Sequence, residues 1–124
     1  MDSAHTDRME AARRALPGED ILREVSGTFR LLSHPARLRI LLLLQTRELC
    51  VCDLSALLGL PMPETVRHLR RLRSAGAVTY RTEGKIAYYR LACPSWPRLV
   101  AKAIAEGEER GAHPGLRRAA GRRP

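Results

Sequence analysis

The spacing of hydrophobic residues along the chain predicts five helices and one β-hairpin. Five segments place apolar residues three or four positions apart, which gives each one an apolar face as an α-helix. These segments are residues 20–32, 36–46, 51–58, 63–74 and 95–106. Between residues 78 and 91, in VTYRTEGKIAYYRL, apolar and polar positions alternate, which indicates two β-strands. We expect their turn at Glu83 and Gly84, with Tyr80 and Tyr89 on the same face.

The order of these elements predicts a mainly α (α+β) fold, a winged helix-turn-helix with a β-hairpin wing. A short helix, the tight turn LPMP and the basic helix at 63–74 make the helix-turn-helix, and the hairpin follows as the wing. We expect this folded domain to span residues 19–106. The polar residues 1–18 are expected to form a flexible N-terminal arm. Residues 107–124, which are rich in Gly, Pro and Arg, are expected to be a disordered basic tail.

Apolar positions also predict which side chains form the core. The helix at 36–46 is apolar nearly all round, and we expect it to be the buried centre. The side chains expected to face it from the two following helices are Leu54, Leu57, Leu58, Leu69 and Leu72, together with Thr65 or Val66.

The first and last predicted helices, at 20–32 and 95–106, each carry an apolar stripe that so small a central unit can hardly cover. Packing against their copies in a second chain would bury both stripes, so these terminal helices predict a two-fold homodimer. Its two recognition helices would lie roughly 34 Å apart, about one turn of DNA.

The charge of the chain points to a polyanionic partner. The net charge is +9, from 22 Lys and Arg against 13 Asp and Glu. An Arg-rich composition with a basic tail is the alternative explanation. However, residues 63–90 alone hold seven basic and two acidic residues, and this concentration on one unit favours a binding face for double-stranded DNA. RNA is less favoured because no aromatic stacking platform is evident.

The candidate DNA contacts lie on the helix at 63–74 and on the hairpin. Arginines on the helix could bind phosphates or guanine edges, His and Thr offer neutral contacts, and basic residues near the hairpin tip could anchor the wing. The candidates are Thr65, Arg67, His68, Arg70, Arg71, Arg81 and Lys85. For any single arginine, a solvated helix surface is an equally good explanation.

Two of the three cysteines, Cys50 and Cys52, lie in RELCVCDL where a helix is predicted to begin. Free backbone N–H groups at a helix start favour thiolates, and thiolates select soft, thiophilic ions. A structural role among the neighbouring apolar residues is the alternative, and the residues alone leave the two readings about equally supported. The odd number of cysteines is not typical of a disulfide scaffold.

The motifs SHPARLRIL, ELCVCDL and RHLRRLRSAG, followed by the basic hairpin, resemble the ArsR/SmtB family of bacterial metal-sensing repressors over residues 29–91. ELCVCDL is similar to the arsenite-sensing and the cadmium/lead-sensing branches. The resemblance implies a homodimeric repressor that binds operator DNA and releases it when As(III) or Sb(III) binds Cys50 and Cys52. The chain departs from the family just before the recognition helix, where Pro61 and Met62 replace residues that are often polar. The operator sequence therefore cannot be carried over from the relatives.

The ligand set departs from the family in one position. Ser55 stands where many arsenite sensors carry a third cysteine. The third donor is left open between Cys93, a small cellular thiol and none, and a structural role at the last helix is the favoured reading of Cys93. Residues 1–49 contain no cysteine and residues 95–106 no histidine, so neither the cadmium/lead arm nor the zinc-type terminal site is matched. As(III) or Sb(III) is therefore the first expected inducer, with Cd(II) or Zn(II) second.

Other functions have less support from the sequence. A thiol redox switch is an alternative use of the cysteines, although neighbours two residues apart form only a strained disulfide. No phosphate-binding glycine loop or catalytic constellation is present, so we do not expect an enzyme. No apolar run reaches the length of a membrane span and no signal peptide is evident, so we expect a cytoplasmic protein without a membrane partner.

Overall fold

A computed structural model describes residues 2–92 and 95–111, which form six helices and three strands. The helices are α1 (Ser3–Ala15), α2 (Glu19–Leu32), α3 (Pro35–Thr46), α4 (Val51–Leu58), α5 (Met62–Ser74) and α6 (Ser95–Arg110). The strands are β1 (Leu49–Cys50), β2 (Val78–Glu83) and β3 (Ile86–Leu91). The chain divides into two compact units, and the boundary lies between Leu32 and Ser33.

The first unit consists of α1 and α2. A flexible arm was expected at residues 1–18, but Ser3–Ala15 are helical, so this expectation was wrong in its secondary structure. The Asp2 carboxylate caps the helix by accepting from the Ala4 N–H at 3.2 Å, and the helix consists largely of good helix formers. No residue of α1 is buried, so its sequence has no apolar stripe from which the helix could be predicted.

Helix α2 confirms the predicted helix at 20–32 and begins one residue earlier. Three apolar side chains of its stripe are about half exposed: Ile21 at 54%, Val25 at 44% and Phe29 at 54%. The stripe is therefore regular in sequence and accessible in the single chain.

The core of the second unit is built around α3, as its nearly uninterrupted apolar sequence predicted. Ile40 and Leu41 are completely buried, and so are Leu54, Leu69 and Leu72 from the next two helices. Pro35 begins α3, and the His34 ring caps it by accepting from the Ala36 N–H at 3.3 Å.

One core prediction was wrong. Leu57 of α4 is 59% exposed, whereas Ser55 is buried, with only 8% of its surface exposed. The face of α4 that packs inward carries Leu54, Ser55 and the half-buried Leu58. Leu54 and Ser55 are adjacent in sequence, and Leu58 lies one helical turn after Leu54. Leu57 lies outside this buried face, at its solvent-exposed edge, so its apolar character alone was a misleading signal.

The three strands form an antiparallel sheet in the order β1-β3-β2. The predicted hairpin and its face are confirmed, since Tyr80 pairs directly with Tyr89. The turn lies one residue later than predicted, at Gly84 and Lys85, because Glu83 still pairs with Ile86. Gly84 has φ +63, a value that favours glycine at this position of a two-residue turn.

Strand β1 was not predicted, and it places the cysteine segment beside the wing. Leu49 pairs with Tyr89 and Cys50 with Tyr88. A strand of two residues is too short to give an alternating pattern, so only the folded hairpin reveals it.

The helix-turn-helix consists of α4, a short turn and α5, and with the hairpin it confirms the predicted winged helix-turn-helix. Helix α4 is capped at its C-terminus by Gly59 (φ 68), whose N–H donates to the Ser55 carbonyl at 2.9 Å. Helix α5 follows Pro61. Helix α6 extends to Arg110, four residues beyond the predicted end of the domain at 106, and residues 112–124 lie outside the described part of the chain.

Candidate functional site

Cys50 and Cys52 open onto one pocket at the beginning of α4. The pocket has a volume of about 410 Å³ and is lined by Cys50, Val51, Cys52, Met62, Lys85, Ile86 and Ala87. Three different elements contribute these walls: the start of α4, the first residue of the recognition helix α5, and the wing. We call this cavity the thiol pocket. The pocket onto which the two cysteines open is therefore bordered by both elements that are expected to read DNA.

The surroundings of Cys50 depend on Asp53. Cys50 is half-buried at the N-cap of α4, and its backbone N–H donates to the Asp53 Oδ2 at 3.3 Å. The Cys50 thiol lies 3.2 Å from the same oxygen and donates to it. This confirms that Asp53 supports the helix start, as expected. An ion bound by the Cys50 sulfur would displace the thiol proton and this hydrogen bond with it. Cys52 is exposed.

The number of protein donors at the thiol pocket is small. Within residues 2–92 and 95–111, no group of three or more His, Cys, Asp or Glu side chains is arranged to hold a metal ion. The Ser55 hydroxyl is buried and donates to the Thr65 hydroxyl at 3.0 Å, so it serves the contact between α4 and α5 and not the thiols. Cys93 lies outside the described residues. Two thiols and apolar walls suit a thiophilic ion and not Mg²⁺ or Ca²⁺.

An ion-pair link joins the cysteine segment to the wing. The Arg81 guanidinium lies 2.8 Å from Glu48, two residues before Cys50, and 2.8 Å from Glu83. It also lies 5.0 Å from the centre of the Tyr88 ring. Hydrogen bonds to Glu83 and Glu48 raise the pKa of Arg81 above its ordinary value. Arg81 was predicted as a DNA contact, and in the folded chain its charge is already paired with two carboxylates.

The three arginines Arg67, Arg70 and Arg71 lie exposed along α5. In the part of the chain that the structure describes, none of them belongs to a salt bridge. Their neighbours include other cations: burial, followed by the charge of Arg71, lowers the pKa of Arg37. Lys85 is exposed at the wing turn. This arrangement leaves positive charge available along one helix and at the hairpin tip.

Two of the predicted DNA contacts are interior residues, and the structure corrects them. Thr65 is completely buried; its hydroxyl donates to the Pro61 carbonyl at 3.2 Å and accepts from Ser55. His68 is only 8% exposed, and its Nδ1 accepts from the Arg37 Nε–H at 3.2 Å. Both belong to the apolar face of α5, at the helical spacing of Leu69 and Leu72, so neither side chain is free to reach a base.

The His68 ring sits in a strongly cationic environment. It contacts the ring of His34 edge-on, with 4.5 Å between the ring centres. Burial lowers the pKa of His68 most, and His34, Arg37 and Arg67 lower it further, while the Glu64 carboxylate opposes them. His68 is therefore a neutral acceptor that fixes Arg37 beneath the recognition helix.

Sequence reasoning missed Met62 and Glu48 as parts of the site. Met62 lines the thiol pocket, and Glu48 pairs with Arg81. Both roles depend on the wing folding back against the cysteine segment. The spacing of residues along the sequence does not predict this contact. The one signal in the sequence was the position of Met62 immediately before the helix predicted at 63–74.

The fold and the exposed basic helix define a winged helix-turn-helix DNA-binding regulator of transcription. Residues 34–80 match the family model described as "Bacterial regulatory protein, arsR family". The chain is 36% identical over 121 residues to the arsenic resistance transcriptional regulator ArsR1 of Pseudomonas putida, covering 91% of this chain and 94% of that protein. The chain belongs to the ArsR family of bacterial regulatory proteins and is a transcriptional regulator, not an enzyme.

Two further similarities indicate the range of the family around this chain. A cadmium resistance transcriptional regulatory protein CadC homolog of Staphylococcus aureus is 33% identical over 106 residues, covering 85% of this chain and 87% of that protein. The crystal structure of the AntR antimony-specific transcriptional repressor superposes with a TM-score of 0.71 at 27% identity, covering 79% of this chain and 89% of that one. None of the described helices is both long and apolar enough to cross a bilayer.

Proposed function

We propose that this metal-responsive ArsR-family transcriptional repressor binds operator DNA as a homodimer and releases it when As(III) or Sb(III) binds Cys50 and Cys52. One observation carries the proposal: the two cysteines open onto a single pocket whose other walls come from the recognition helix and the wing. Ligand binding and DNA binding therefore involve the same structural elements.

The choice of inducer follows from the donors. Trivalent arsenic and antimony bind thiols by exchanging hydroxide for sulfur, which suits two accessible cysteines and needs no oxygen ligand from the protein. The similarity to ArsR1 of Pseudomonas putida and to the antimony-specific AntR supports the same choice. Cys93, a small cellular thiol or a retained hydroxide would complete the coordination.

The DNA-binding surface consists of the exposed cations. Arg67, Arg70 and Arg71 on α5 would contact phosphates and base edges in the major groove, and Lys85 would contact the backbone from the wing. Arg81 would act indirectly by holding the wing through its ion pairs. If a dimer neutralises about eight phosphates, the logarithm of its affinity for DNA should fall with the logarithm of the salt concentration, with a slope of about −7.

Two exposed apolar stripes support the homodimer. On α2 the stripe contains Ile21, Val25 and Phe29, and on α6 it contains Leu99 and Ile104, which are 45% and 36% exposed. Burying such stripes against a second copy is the usual solution for a small regulator that binds two DNA half-sites.

Two contacts would carry the signal from the thiols to DNA. Drawing the Cys50 and Cys52 sulfurs onto one ion would shift the start of α4, which is fixed to α5 by the hydrogen bond between Ser55 and Thr65. The same shift would strain β1, where Cys50 pairs with Tyr88 of the wing. A hundredfold loss of operator affinity requires a coupling of only about 2.7 kcal/mol.

A gel-shift experiment with the protein's promoter DNA tests the proposal. The complex is challenged in parallel with As(III), Sb(III), Cd(II), Zn(II) and peroxide, using the wild type, the Cys50→Ser/Cys52→Ser variant and Cys93→Ser. We expect arsenite or antimonite to release the wild type and to leave the double variant bound. Release of the double variant by arsenite would refute the assignment, and release by peroxide alone would indicate a redox sensor. Unchanged arsenite affinity in Cys93→Ser would exclude Cys93 as a donor.

A cadmium-responsive repressor is the second candidate, because one oxygen lies close to the thiols. Asp53 Oδ2 is 3.2 Å from the Cys50 sulfur, and Cd(II) and Zn(II) accept mixed sulfur and oxygen ligands. The similarity to the CadC homolog supports this alternative. In the same panel, release by Cd(II) at concentrations where arsenite is inactive would favour it.

A further inference from the structure

A third sulfur-containing residue lines the thiol pocket, and the arsenite proposal does not use it. Met62, the first residue of α5, lines the pocket together with Cys50 and Cys52. Its side chain is 46% exposed, so burial in the core does not account for a flexible apolar residue at this position. Of the other two methionines, Met9 is an exposed residue of α1, and Met1 lies outside the described residues.

A thioether and a thiol differ in the ions that they bind. As(III) forms bonds to sulfur by exchanging hydroxide for thiolate, and a thioether has no proton to give up in that exchange. Monovalent copper and silver accept neutral thioether sulfur directly and also bind thiolates strongly. A set of two cysteines and one methionine therefore fits a soft monovalent cation better than it fits arsenic.

The charge of the pocket agrees with this donor set. When a cation of charge +1 binds two cysteines and one methionine, two thiol protons are released and the bound centre carries a net charge of −1. Lys85 lines the same pocket from the wing turn, and its ammonium group would offset that charge. Arsenic bound to two thiolates and one hydroxide is neutral and would gain less from Lys85.

We propose that Cys50, Cys52 and Met62 form a three-sulfur site for Cu(I) or Ag(I), which would be a second class of inducer for this regulator. The site shares its two thiols with the proposed function, and its role as an inducer site rests on that function. Because Met62 belongs to the recognition helix, an ion held by all three sulfurs would connect α4 directly to α5.

Silver(I), which needs no reductant, is the probe for the test. Silver nitrate in chloride-free buffer is titrated into the full-length protein against a competing chelator, and arsenite is titrated in parallel. The variants are Met62→Leu, which keeps size and apolar character, and Met9→Leu as the matched control on α1. We expect Met62→Leu to lower silver affinity by about tenfold or more, with arsenite affinity and the control unchanged. X-ray absorption should count three sulfur neighbours of silver in the wild type and two in Met62→Leu.

The outcomes separate this inference from the proposed function. Unchanged silver affinity in Met62→Leu, or an equal loss for silver and arsenite, would overturn the three-sulfur site while leaving arsenite sensing intact. If the wild type does not bind arsenite but binds silver in a way that depends on Met62, the arsenite proposal fails and the three-sulfur site stands.

Discussion

The two ends of α4 have opposite environments. At the N-terminal end, Cys50 and Cys52 open onto the thiol pocket, and Cys50 contacts Asp53 and pairs with Tyr88 in the two-residue strand β1. One turn later, Leu54 is completely buried and Ser55 is bonded to Thr65 of the recognition helix. One short helix therefore joins the proposed ligand site to a tightly packed contact with α5, and we propose that a shift at the first end is transmitted through the second.

The largest expected effect concerns the packed end. Leu54→Ala removes a side chain with no solvent exposure, so we expect it to lower the free energy of unfolding by about 2–5 kcal/mol. Leu57→Ala is the matched control, because the same change at a position that is 59% exposed should alter stability by about 0.5 kcal/mol or less. Urea denaturation of both variants measures the difference, and equal losses would mean that α4 is oriented differently.

A smaller effect is expected at the contact between α4 and α5. Ser55→Ala removes the hydrogen bond to the Thr65 hydroxyl and should destabilise the protein by about 1 kcal/mol, because Thr65 keeps its bond to the Pro61 carbonyl. If this contact transmits the signal, Ser55→Ala should also reduce the ratio of operator affinities measured without and with arsenite. An unchanged ratio would assign the coupling to β1 and the wing.

The buried histidine predicts a pH dependence beneath the recognition helix. The pKa of His68 is lowered below its ordinary value of 6.5, chiefly by burial, so the unfolded chain binds the proton at a higher pH than the folded one. The contribution of His68 to the free energy of unfolding is therefore fully present above pH 6.5, and it decreases as the pH falls below that value. His68→Gln should lose this acid-dependent fall, and His5→Gln on α1 should keep it. Thermal unfolding at several pH values measures both, and a fall that persists in His68→Gln would contradict the assignment.

The smallest expected effect concerns the accessible end. Glu48→Gln breaks the 2.8 Å ion pair with Arg81, but the pair is exposed and Arg81 keeps Glu83, so stability should change less than in Ser55→Ala. Operator affinity is the informative measurement. An unchanged affinity would mean that this ion pair does not position the wing for DNA.

The periodicity of the sequence predicted those parts of the fold whose side chains alternate between core and solvent. Helix α3 and the face shared by Tyr80 and Tyr89 were predicted because their apolar positions follow one period without interruption. The phase of a helix was harder to predict when small polar residues occupied its inner face. Thr65 was expected both beside the core and as a DNA contact, and its hydrogen bond with buried Ser55 shows that only the core prediction was right.

The candidate site was predictable only where it is local in sequence. Cys50 and Cys52 form a motif that predicted a two-thiol site, and in the structure both residues line one pocket. Met62 and Lys85 reach the same pocket through the turn before α5 and through the hairpin, so their proximity exists only in the folded chain. The individual contacts of the basic residues with DNA remain predictions.

We propose that arsenite binding to Cys50 and Cys52 and operator binding oppose each other through α4. Calorimetric titration of arsenite into the free protein and into the protein saturated with operator DNA tests this claim most directly. Because coupling is reciprocal, the bound protein should bind arsenite more weakly by the same factor by which arsenite weakens operator binding, about a hundredfold for a coupling of about 2.7 kcal/mol. Equal arsenite affinities for the free and the DNA-bound protein would contradict the claim.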